Sequence, residues 1–446
     1  MSSHTIYLGD AFQTLRAMSG ETVDGAFFSP PYWGRLRSYG GWRTVTLWDP
    51  SGEYNPIMER AAFPGHDSRR RAIDLRMRVQ RRQQGMACPH TGWRLDALGT
   101  EPTPDLYVAH LVHICREIRR VLKPTGTMLV NIADNYARTG AKGQHKPSDA
   151  GKHANVIVNG GGRAATTIDL STAGLKPKDL CLIPARLAIA LQNDGWWVRR
   201  DIIWAKAVSG EANEAGFVGS CMTENVNDRP TTSHEYVWLC SKAERYYWDW
   251  YAVADESVHP AGTKTKGSSH RNAEFGVNAI PADRHTVYNG LRRQRSVWTL
   301  GCEGSKLKPY AMFPPKLPAM ALPAQIPTHV CAECGRPWER QFEKSGTGPK
   351  RGARKHDETR LNEIGGQEWA DWKAQNPDID LGMRPVCDCE PATSVPGTVL
   401  DPFVGSGTTV QVARSLGVNS VGIDLNPNYE ATMRERFGQL LTLEGR

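Results

Sequence analysis

Residues 399–424 combine two glycines, an acid and apolar runs in a spacing that suits nucleotide-type binding. Gly405 and Gly407 follow an apolar run and permit a tight turn with positive φ, and the apolar residues from Val410 onward predict a helix. Such a turn offers close backbone approach, free N–H groups and the positive end of a helix dipole. Asp424 ends the next apolar run 19 residues after Gly405, close to the ~20 residues expected for a carboxylate that binds ribose hydroxyls.

Two other interpretations of this segment stay open from these residues alone. A dinucleotide-binding turn would have a third glycine at the position of Val410, and its absence weakens the case for a bound pyrophosphate. An ordinary strand-to-helix turn can also contain two such glycines. A second motif elsewhere in the chain favours the nucleotide-type site in which Asp424 binds a ribose.

That second motif is S-P-P-Y at residues 29–32, which follows an apolar run near the start of the chain. Together with D-P-F-V-G-S-G-T-T at 401–409, it resembles the amino-methylating DNA methyltransferases that use S-adenosylmethionine (AdoMet), in the permuted order with S-P-P-Y first. The resemblance covers most of the chain apart from insertions. It implies an α/β fold with a doubly wound, mostly parallel, Rossmann-like sheet and an inserted DNA-recognition segment. A zinc-stapled segment is expected in addition, from the cysteine pairs described below.

The resemblance also supplies candidate site residues. The catalytic candidates are Ser29, Pro30, Pro31 and Tyr32. The cofactor-binding candidates are Asp10, Phe313, Asp401, Phe403, Gly405, Gly407, Thr408, Thr409 and Asp424. Two of these have an alternative interpretation, because Asp10 precedes a helical pattern that it would cap and Phe313 lies in an apolar stretch that suits packing.

The S-P-P-Y motif suits methylation of an exocyclic amine, whose lone pair is delocalised into the base. The Ser29 hydroxyl and the Pro30 carbonyl can accept N–H groups from such an amine, and two prolines hold these acceptors in place. Tyr32 offers a ring on which an extruded base can stack. Direct in-line transfer then needs no covalent enzyme intermediate. The chain has no Pro-Cys dipeptide, which methylation at a cytosine ring carbon typically uses.

Cytosine N4 is favoured over adenine N6 as the methylated atom, because the motif opens with Ser29 where adenine-specific relatives more often have Asp or Asn. The preference rests on family tendency, since either side chain can accept an N–H from either amine. Adenine N6 is therefore the alternative. A non-catalytic DNA-binding regulator and a methyltransferase acting on RNA or protein are two further alternatives, and the intact S-P-P-Y argues against the regulator.

Local patterns divide the rest of the chain. An apolar spacing of three and four predicts a helix over 104–122, followed by a strand over 128–132. The expected segments are the start of the catalytic half (1–34), a basic insertion (35–100), the catalytic core (101–254) with a mobile loop (138–173), a target-recognition segment (255–300), a cofactor-wall segment (301–325), a zinc-binding insertion (326–392) and the AdoMet-binding half (393–446). The DNA-contact candidates are Arg271, Arg284, Arg292, Arg293 and Arg295.

Two short cysteine pairs predict a structural zinc site. Cys331 and Cys334 form a C-x-x-C pair, and Cys387 and Cys389 form a C-x-C pair. Four thiolates can hold zinc tetrahedrally, and Gly335 suits a tight turn after the first pair. The alternative is four free structural cysteines.

Bulk properties limit the remaining possibilities. The 446 residues carry a formal charge of +8, which suits a polyanionic partner such as double-stranded DNA. No run of about 18 apolar residues predicts a membrane span, and the first residues lack a signal-peptide pattern. We therefore expect a cytoplasmic, nucleoid-associated protein of bacterial or phage origin, with thiols in place of disulfides. A second copy of the chain and a cognate restriction endonuclease are candidate partners.

Overall fold

The computed structural model describes residues 2–33, 98–99, 103–137, 174–207, 227–266, 285–301, 313–344, 350–351, 363–364, 366–390, 392–426, 428–437 and 441–444. Nearly all of the expected basic insertion (35–100), the expected loop (138–173), Arg271 and Arg284 lie outside these residues. No helix in the described ranges is long and apolar enough to span a bilayer.

The described residues form nineteen strands and eight α-helices. The strands are β1 (His4–Leu8), β2 (Val23–Phe28), β3 (Leu122–Ile132), β4 (Trp197–Ala207), β5 (His234–Ser241), β6 (Asp255–Glu256), β7 (Lys264–Lys266), β8 (His285–Val287), β9 (Leu291–Arg292), β10 (Val297–Gly301), β11 (Val330–Cys331), β12 (Glu339–Glu343), β13 (Lys350–Arg351), β14 (Glu363–Ile364), β15 (Ile379–Arg384), β16 (Ser394–Val395), β17 (Thr398–Asp401), β18 (Asn419–Asp424) and β19 (Leu441–Glu444). The helices are α1 (Ala11–Ala17), α2 (Pro104–Val121), α3 (Ile183–Asn193), α4 (Lys316–Ala319), α5 (Leu322–Gln325), α6 (Gly366–Gln375), α7 (Thr408–Ser415) and α8 (Asn428–Phe437).

The chain divides into two units. The first unit comprises Met1–Tyr247, Ser296–Thr328 and Pro396–Arg446, and the second comprises Trp248–Arg295 and His329–Val395. Both units are therefore assembled from segments that are far apart in the sequence.

A nine-stranded sheet forms the centre of the first unit, in the order β10-β4-β5-β3-β2-β17-β18-β1-β19. Only β5 runs against the other eight strands, because it pairs antiparallel with both β3 and β4 while the remaining neighbours pair in parallel. The pairing of β2 with β17 joins the two ends of the chain in the middle of the sheet. This arrangement confirms the predicted doubly wound, mostly parallel α/β sheet.

Helices cover both faces of this sheet. Helices α1, α2 and α3 contribute to one large apolar core that includes Phe28 and Leu400. A smaller cluster, in which α7 and α8 take part, contains Ile6, Val410 and Phe437. The two cores lie on opposite faces because neighbouring residues of β1 point in opposite directions, with Ile6 in one cluster and Tyr7 beside the other.

The helix predicted over 104–122 is α2, and its ends follow from local chemistry. The Thr103 hydroxyl caps it by accepting from the Leu106 N–H at 3.2 Å, and Pro104 occupies the first turn, where its missing N–H costs nothing. The next strand begins at Leu122, not at 128, because Leu122 already has an extended conformation, with φ −67° and ψ 137°. Pro124 then excludes a helical continuation.

The described residues of the second unit form paired short strands, one α-helix, α6, and a short 3-10 helix at Trp250–Val253. Four of the pairs are antiparallel (β6 with β9, β7 with β8, β11 with β16, β12 with β15), and β13 pairs with β14 in parallel. Arg340 links the two segments of the unit, since it donates to Asp249 at 3.0 Å and to Asp380 at 2.7 Å. The expected target-recognition and cysteine-containing segments thus contribute to one structural unit.

Candidate active site

The glycine turn follows β17 directly and adopts the conformation that only glycine takes easily. Gly405 has φ +53° and Gly407 has φ +86°. A Cβ atom on Gly407 would lie 2.5 Å from Cε2 of Phe437, so the position excludes any side chain on steric grounds as well. Gly407 is also the N-cap of α7 and supplies no side-chain acceptor to the first-turn N–H groups.

Asp401 supports this turn from within the protein. One carboxylate oxygen accepts from the Phe403 N–H at 3.0 Å, and the other accepts from the Thr409 hydroxyl at 2.6 Å. Burial raises the pKa of Asp401 to about 7. The structure therefore places Asp401 and Thr409 together beneath the turn, as a brace that fixes its shape.

Asp424, at the end of β18, is joined to the same turn. Its Oδ2 atom accepts from the Gly405 N–H at 2.8 Å, and its Oδ1 atom accepts from the Asn426 N–H at 2.8 Å. Burial raises the pKa of Asp424 to about 6. Each oxygen keeps a further lone pair that can accept from a ligand hydroxyl.

Asp10 lies next to Asp424 at the same edge of the sheet, since the preceding Gly9 N–H donates to the Asp424 carbonyl at 2.9 Å. Its carboxylate accepts from the Gln13 N–H at 2.9 Å, which makes Asp10 the N-cap of α1. The helix-cap interpretation is thus observed directly. Burial raises the pKa of Asp10.

Aromatic contacts connect the glycine turn to the S-P-P-Y turn. The ring of Phe403 lies 5.7 Å from that of Phe28, the residue before Ser29. Phe27 faces the other side of β2, where its ring meets that of Phe313 edge-on at 5.5 Å. The two predicted motifs therefore lie at the carboxyl ends of neighbouring parallel strands, β2 and β17.

The S-P-P-Y turn is held by hydrogen bonds from both of its ends. The Ser29 hydroxyl donates to the Tyr32 hydroxyl at 3.1 Å, and the Tyr32 hydroxyl donates to Oε2 of Glu235 at 2.6 Å. The Tyr107 hydroxyl donates to the Pro31 carbonyl at 2.9 Å. Burial, followed by the neighbouring Glu235 charge, raises the pKa of Tyr32 well above its usual range.

Glu235 is the centre of a buried polar cluster that the sequence analysis did not identify. Lys206 at the end of β4 donates to Oε1 at 2.5 Å, and the Asn131 side-chain amide donates to Oε2 at 3.1 Å. The side chain of Glu235 is 7% exposed and that of Lys206 is 22% exposed, so water screens this ion pair weakly. Asn131 and Glu235 are polar residues inside apolar strand sequences, and this signal alone could have identified them.

The four predicted metal ligands come together in the second unit. Their Sγ atoms all lie within 4.8 Å of one another. A zinc ion with four thiolates at ~2.3 Å needs sulfurs about 3.8 Å apart, so the cluster has suitable dimensions. Backbone hydrogen bonds from Cys334 and Glu333 lower the pKa of Cys331 to about 7, whereas hydrogen bonds with Cys334 and Cys331 raise the pKa of Cys389 to about 12, so in the metal-free cluster Cys331 is the thiol that ionises first.

Local backbone bonds explain how the two cysteine pairs meet. The Gly335 N–H donates to the Cys331 carbonyl at 3.0 Å, and Gly335 has φ +71°, as a tight turn requires. Arg336 then donates to the Val386 carbonyl at 3.0 Å, next to Cys387. These bonds connect the C-x-x-C turn to the C-x-C segment.

Three of the predicted DNA-contact arginines lie within the described residues, all in the second unit. Arg292 is paired with Asp255 at 3.5 Å, with the arginine side chain 42% exposed. Arg293 lies over the ring of Trp250, 5.5 Å from its centroid. Arg295 is the last residue of its segment, and the chain then re-enters the first unit at β10.

Sequence comparison identifies the protein family of this chain. A family model described as DNA methylase, covering N6 and N4 methyltransferases, matches residues 23–331 and 390–435. The chain belongs to this family. It is accordingly a DNA methyltransferase, and both the S-P-P-Y turn and the glycine turn lie within the matched ranges.

Individual methyltransferases are similar over almost the whole chain. The Type II methyltransferase M.SmaI of Serratia marcescens is 28% identical over 98% of this chain and 91% of its own length. M.Cfr9I of Citrobacter freundii is 27% identical over 96% of this chain and 86% of its own length. Among solved structures, the cytosine-N4-specific PvuII DNA methyltransferase has 13% identity and a TM-score of 0.43, covering 98% of this chain and 87% of its own.

Proposed function

We propose that this methyltransferase transfers a methyl group from AdoMet to the exocyclic N4 amine of a cytosine that is extruded from double-stranded DNA. The observation that carries the proposal is the junction of β2 with β17, which presents the S-P-P-Y and glycine turns at one edge of the sheet. The Phe28–Phe403 ring contact holds the two turns at a short, fixed separation.

The glycine turn suits AdoMet on chemical grounds. Gly405 and Gly407 allow a ligand to approach the backbone, and the lone pairs that Asp424 retains can accept from ribose hydroxyls. Asp401 and Thr409 keep the turn in shape. Asp10 caps α1 next to Asp424, and Phe313 packs against Phe27 on the other side of β2; both are proposed to border the cofactor. When bound there, AdoMet would supply an activated methyl group for direct transfer.

The S-P-P-Y turn suits the target amine. Ser29 is partly exposed, and its hydroxyl oxygen can accept an amine N–H, as can the Pro30 carbonyl. Accepting hydrogen bonds from the N–H groups polarises these bonds toward the nitrogen and makes the amine more nucleophilic. The Tyr32 ring gives an extruded base a surface for stacking, and Pro31 keeps the turn rigid.

The preference for cytosine N4 rests on the serine that opens the motif. Ser29 is a neutral acceptor whose hydroxyl donates a hydrogen bond to Tyr32, so this position offers the amine a hydroxyl oxygen where an aspartate would offer a carboxylate. Adenine N6 is the second candidate, because a serine hydroxyl can accept an N–H from either amine.

Methylation of duplex DNA followed by nucleoside mass spectrometry tests the proposal. We expect N4-methylcytosine from the wild-type protein and a loss of about 100- to 1,000-fold in kcat for Ser29→Ala, with AdoMet affinity retained. N6-methyladenine alone would replace the proposed base, and full activity of Ser29→Ala would remove the proposed chemistry. RNA and protein substrates offered in parallel should remain unmethylated.

We also propose that the second unit contributes to DNA recognition. Arg292, Arg293 and Arg295 lie in its first segment, and Arg271 and Arg284 belong to the same stretch of sequence. Guanidinium groups bind phosphate oxygens and guanine edges. DNase footprinting with arginine-to-alanine variants measures this contribution.

A structural zinc ion is proposed for the cysteine cluster of the second unit. The four sulfurs have the separations that a tetrahedral site needs. The described cysteines form no disulfide, so a metal would be the link between the two cysteine segments. Elemental analysis should find near-stoichiometric zinc. Cys334→Ser should lose it, whereas Cys181→Ala, a buried cysteine of the first unit, should retain it. Metal-free protein purified without chelators would contradict the proposal.

A cognate restriction endonuclease and a second copy of the chain are proposed partners. Relatives carry the name Type II methyltransferase, which motivates the endonuclease proposal. A DNA substrate motivates a cytoplasmic, nucleoid-associated location in a bacterial or phage-infected cell. Light scattering with and without DNA measures the oligomeric state.

A further inference from the structure

We infer that Glu235 is a positioning residue for methyl transfer, because its carboxylate holds the Tyr32 proton and thereby makes Ser29 an acceptor toward the target amine. The inference rests on the proposed function, in which Ser29 Oγ accepts an amine N–H. The relevant groups form one chain of hydrogen bonds from Ser29 through Tyr32 to Glu235.

The direction of this chain follows from proton counting. A tyrosine hydroxyl has one proton, and an ionised carboxylate can only accept. The Tyr32 oxygen lies 2.6 Å from Oε2 of Glu235 but 3.1 Å from Oδ1 of Asn131, so the tyrosine hydroxyl donates its hydrogen bond to the glutamate. The Tyr32 oxygen is then left with lone pairs for its other neighbour.

Ser29 is that neighbour, at 3.1 Å. Because the Tyr32 proton is already directed to Glu235, the contact can form only if Ser29 donates. The serine proton is thus committed inside the protein, and the lone pairs of Ser29 Oγ stay available for an amine N–H. A serine whose proton pointed at the amine would oppose the reaction.

Lys206 and Asn131 both donate to the Glu235 carboxylate and fix its position. The Lys206 ammonium lies 2.5 Å from Oε1, and the Asn131 amide donates to Oε2 at 3.1 Å. Asn131 is itself oriented by its second amide proton, which it donates to the Tyr236 carbonyl at 3.1 Å. Three elements of the sheet, β3, β4 and β5, therefore fix one charge whose effect reaches Ser29.

A purely structural role for Glu235 makes a different prediction. If the ion pair only stabilised the sheet, removing its charge would lower the melting temperature and would affect catalysis independently of Tyr32. If Glu235 acts through Tyr32, its charge matters only while the tyrosine hydroxyl is present. A double-mutant cycle separates these two cases.

The experiment measures kcat and KM of Glu235→Gln, Tyr32→Phe and the double variant. A glutamine amide can donate to Tyr32 and so reverse the direction of the hydrogen bonds from Ser29 to residue 235. We therefore expect kcat to fall about 10- to 100-fold, with the KM values for AdoMet and for DNA nearly unchanged. Tyr32→Phe keeps the ring for stacking but frees the serine proton, so its kcat should also fall. In the Tyr32→Phe background, Glu235→Gln should lower kcat by less than about twofold.

The matched control is Glu21→Gln, which removes another Glu–Lys contact, with Lys242 at 3.1 Å, ahead of β2 at the opposite edge of the sheet. It should leave kcat unchanged. Wild-type kcat in Glu235→Gln, or additive losses in the double variant, would overturn the inference. If Glu235→Gln does not fold, as judged by AdoMet binding, unchanged kcat in Tyr32→Phe overturns it. Full activity of Ser29→Ala would instead defeat the proposed function itself.

Discussion

Phe28 and Phe403 come from opposite ends of the chain, yet their ring centroids lie 5.7 Å apart. Each ring is next to a predicted motif, since Ser29 follows Phe28 and the glycine turn follows Phe403. The parallel pairing of Val399 with Gly25 sets their relative height. The sheet itself therefore links the glycine turn to the S-P-P-Y turn, and a displacement of one turn should shift the position of the other.

The first prediction concerns the steric demand at Gly407. Gly407→Ala should destabilise the protein by about 1–3 kcal/mol and abolish AdoMet binding, because a Cβ atom would collide with Phe437 at 2.5 Å and the backbone needs φ +86°. Gly417→Ala is the matched control, since it has φ +71° but nothing within 4 Å. It should cost about 1 kcal/mol and leave AdoMet binding intact. Thermal unfolding measures the stability of both variants and calorimetry measures their AdoMet affinity. If Gly417→Ala lost as much stability and affinity as Gly407→Ala, the steric argument would be wrong.

The second prediction is a pH dependence of AdoMet binding. Burial raises the pKa of Asp424 to about 6, so its carboxylate becomes protonated as the pH falls through that value. A carboxylic acid accepts ribose hydroxyls less well than a carboxylate does. Affinity measured by calorimetry should therefore rise roughly tenfold from pH 5 to pH 7 in the wild type.

Asp424→Asn is the control for this profile. It should bind AdoMet more weakly by about 1.5–3 kcal/mol at pH 7 and lose the rise that Asp424 causes. Stability of the ligand-free protein should change in the opposite sense. Because the folded-state pKa values of Asp401 and Asp424 are raised to about 7 and about 6, their contribution is complete below pH 4 and is lost as the pH rises through those values.

The third prediction concerns Arg340 in the second unit. Arg340→Ala leaves the buried Asp249 carboxylate without its guanidinium partner, and we expect a loss of about 2–4 kcal/mol in the stability of that unit. The exposed pair of Arg434 with Glu430 on α8 is the control, and Arg434→Ala should cost less than about 0.5 kcal/mol. Hydrogen exchange resolves each unit separately. Unchanged protection of β12 and β15 in Arg340→Ala would show that the ion pairs do not hold these segments.

The sequence predicted those parts of the fold that depend on local chemistry. Glycines with required positive φ, a proline-stiffened turn and an acid at the end of a strand all have recognisable local signals, and Gly405, Gly407 and Asp424 are found together at one sheet edge. The cysteine pairs were equally recognisable. Their side chains meet because the first pair precedes β12 and the second follows β15, which pair with each other, while β11 pairs with β16 on the other side of both cysteine pairs.

The Glu235 cluster could not be predicted in the same way. Its bonds join Asn131 on β3, Lys206 on β4 and Tyr32 in the turn after β2, and these become neighbours only when β5 inserts antiparallel between β3 and β4. A one-residue change of register would point Glu235 to the other face of the sheet. Local spacing carries no information about that register, although a charge within an apolar strand does indicate that a partner must exist.

The fourth prediction concerns the salt dependence of DNA binding. Arginines and lysines that contact phosphates release condensed counterions, so the logarithm of affinity should fall linearly with the logarithm of salt concentration. Arg293 lies over Trp250, whereas Arg292 is paired with Asp255, which competes with phosphate for its guanidinium group. Arg293→Ala should therefore reduce the salt slope by about 1, and Arg292→Ala should reduce it by less. Fluorescence anisotropy over a salt series measures both slopes. A slope that neither variant changes would exclude phosphate contacts by these two arginines, and a larger effect for Arg292→Ala would show that Asp255 releases it when DNA binds.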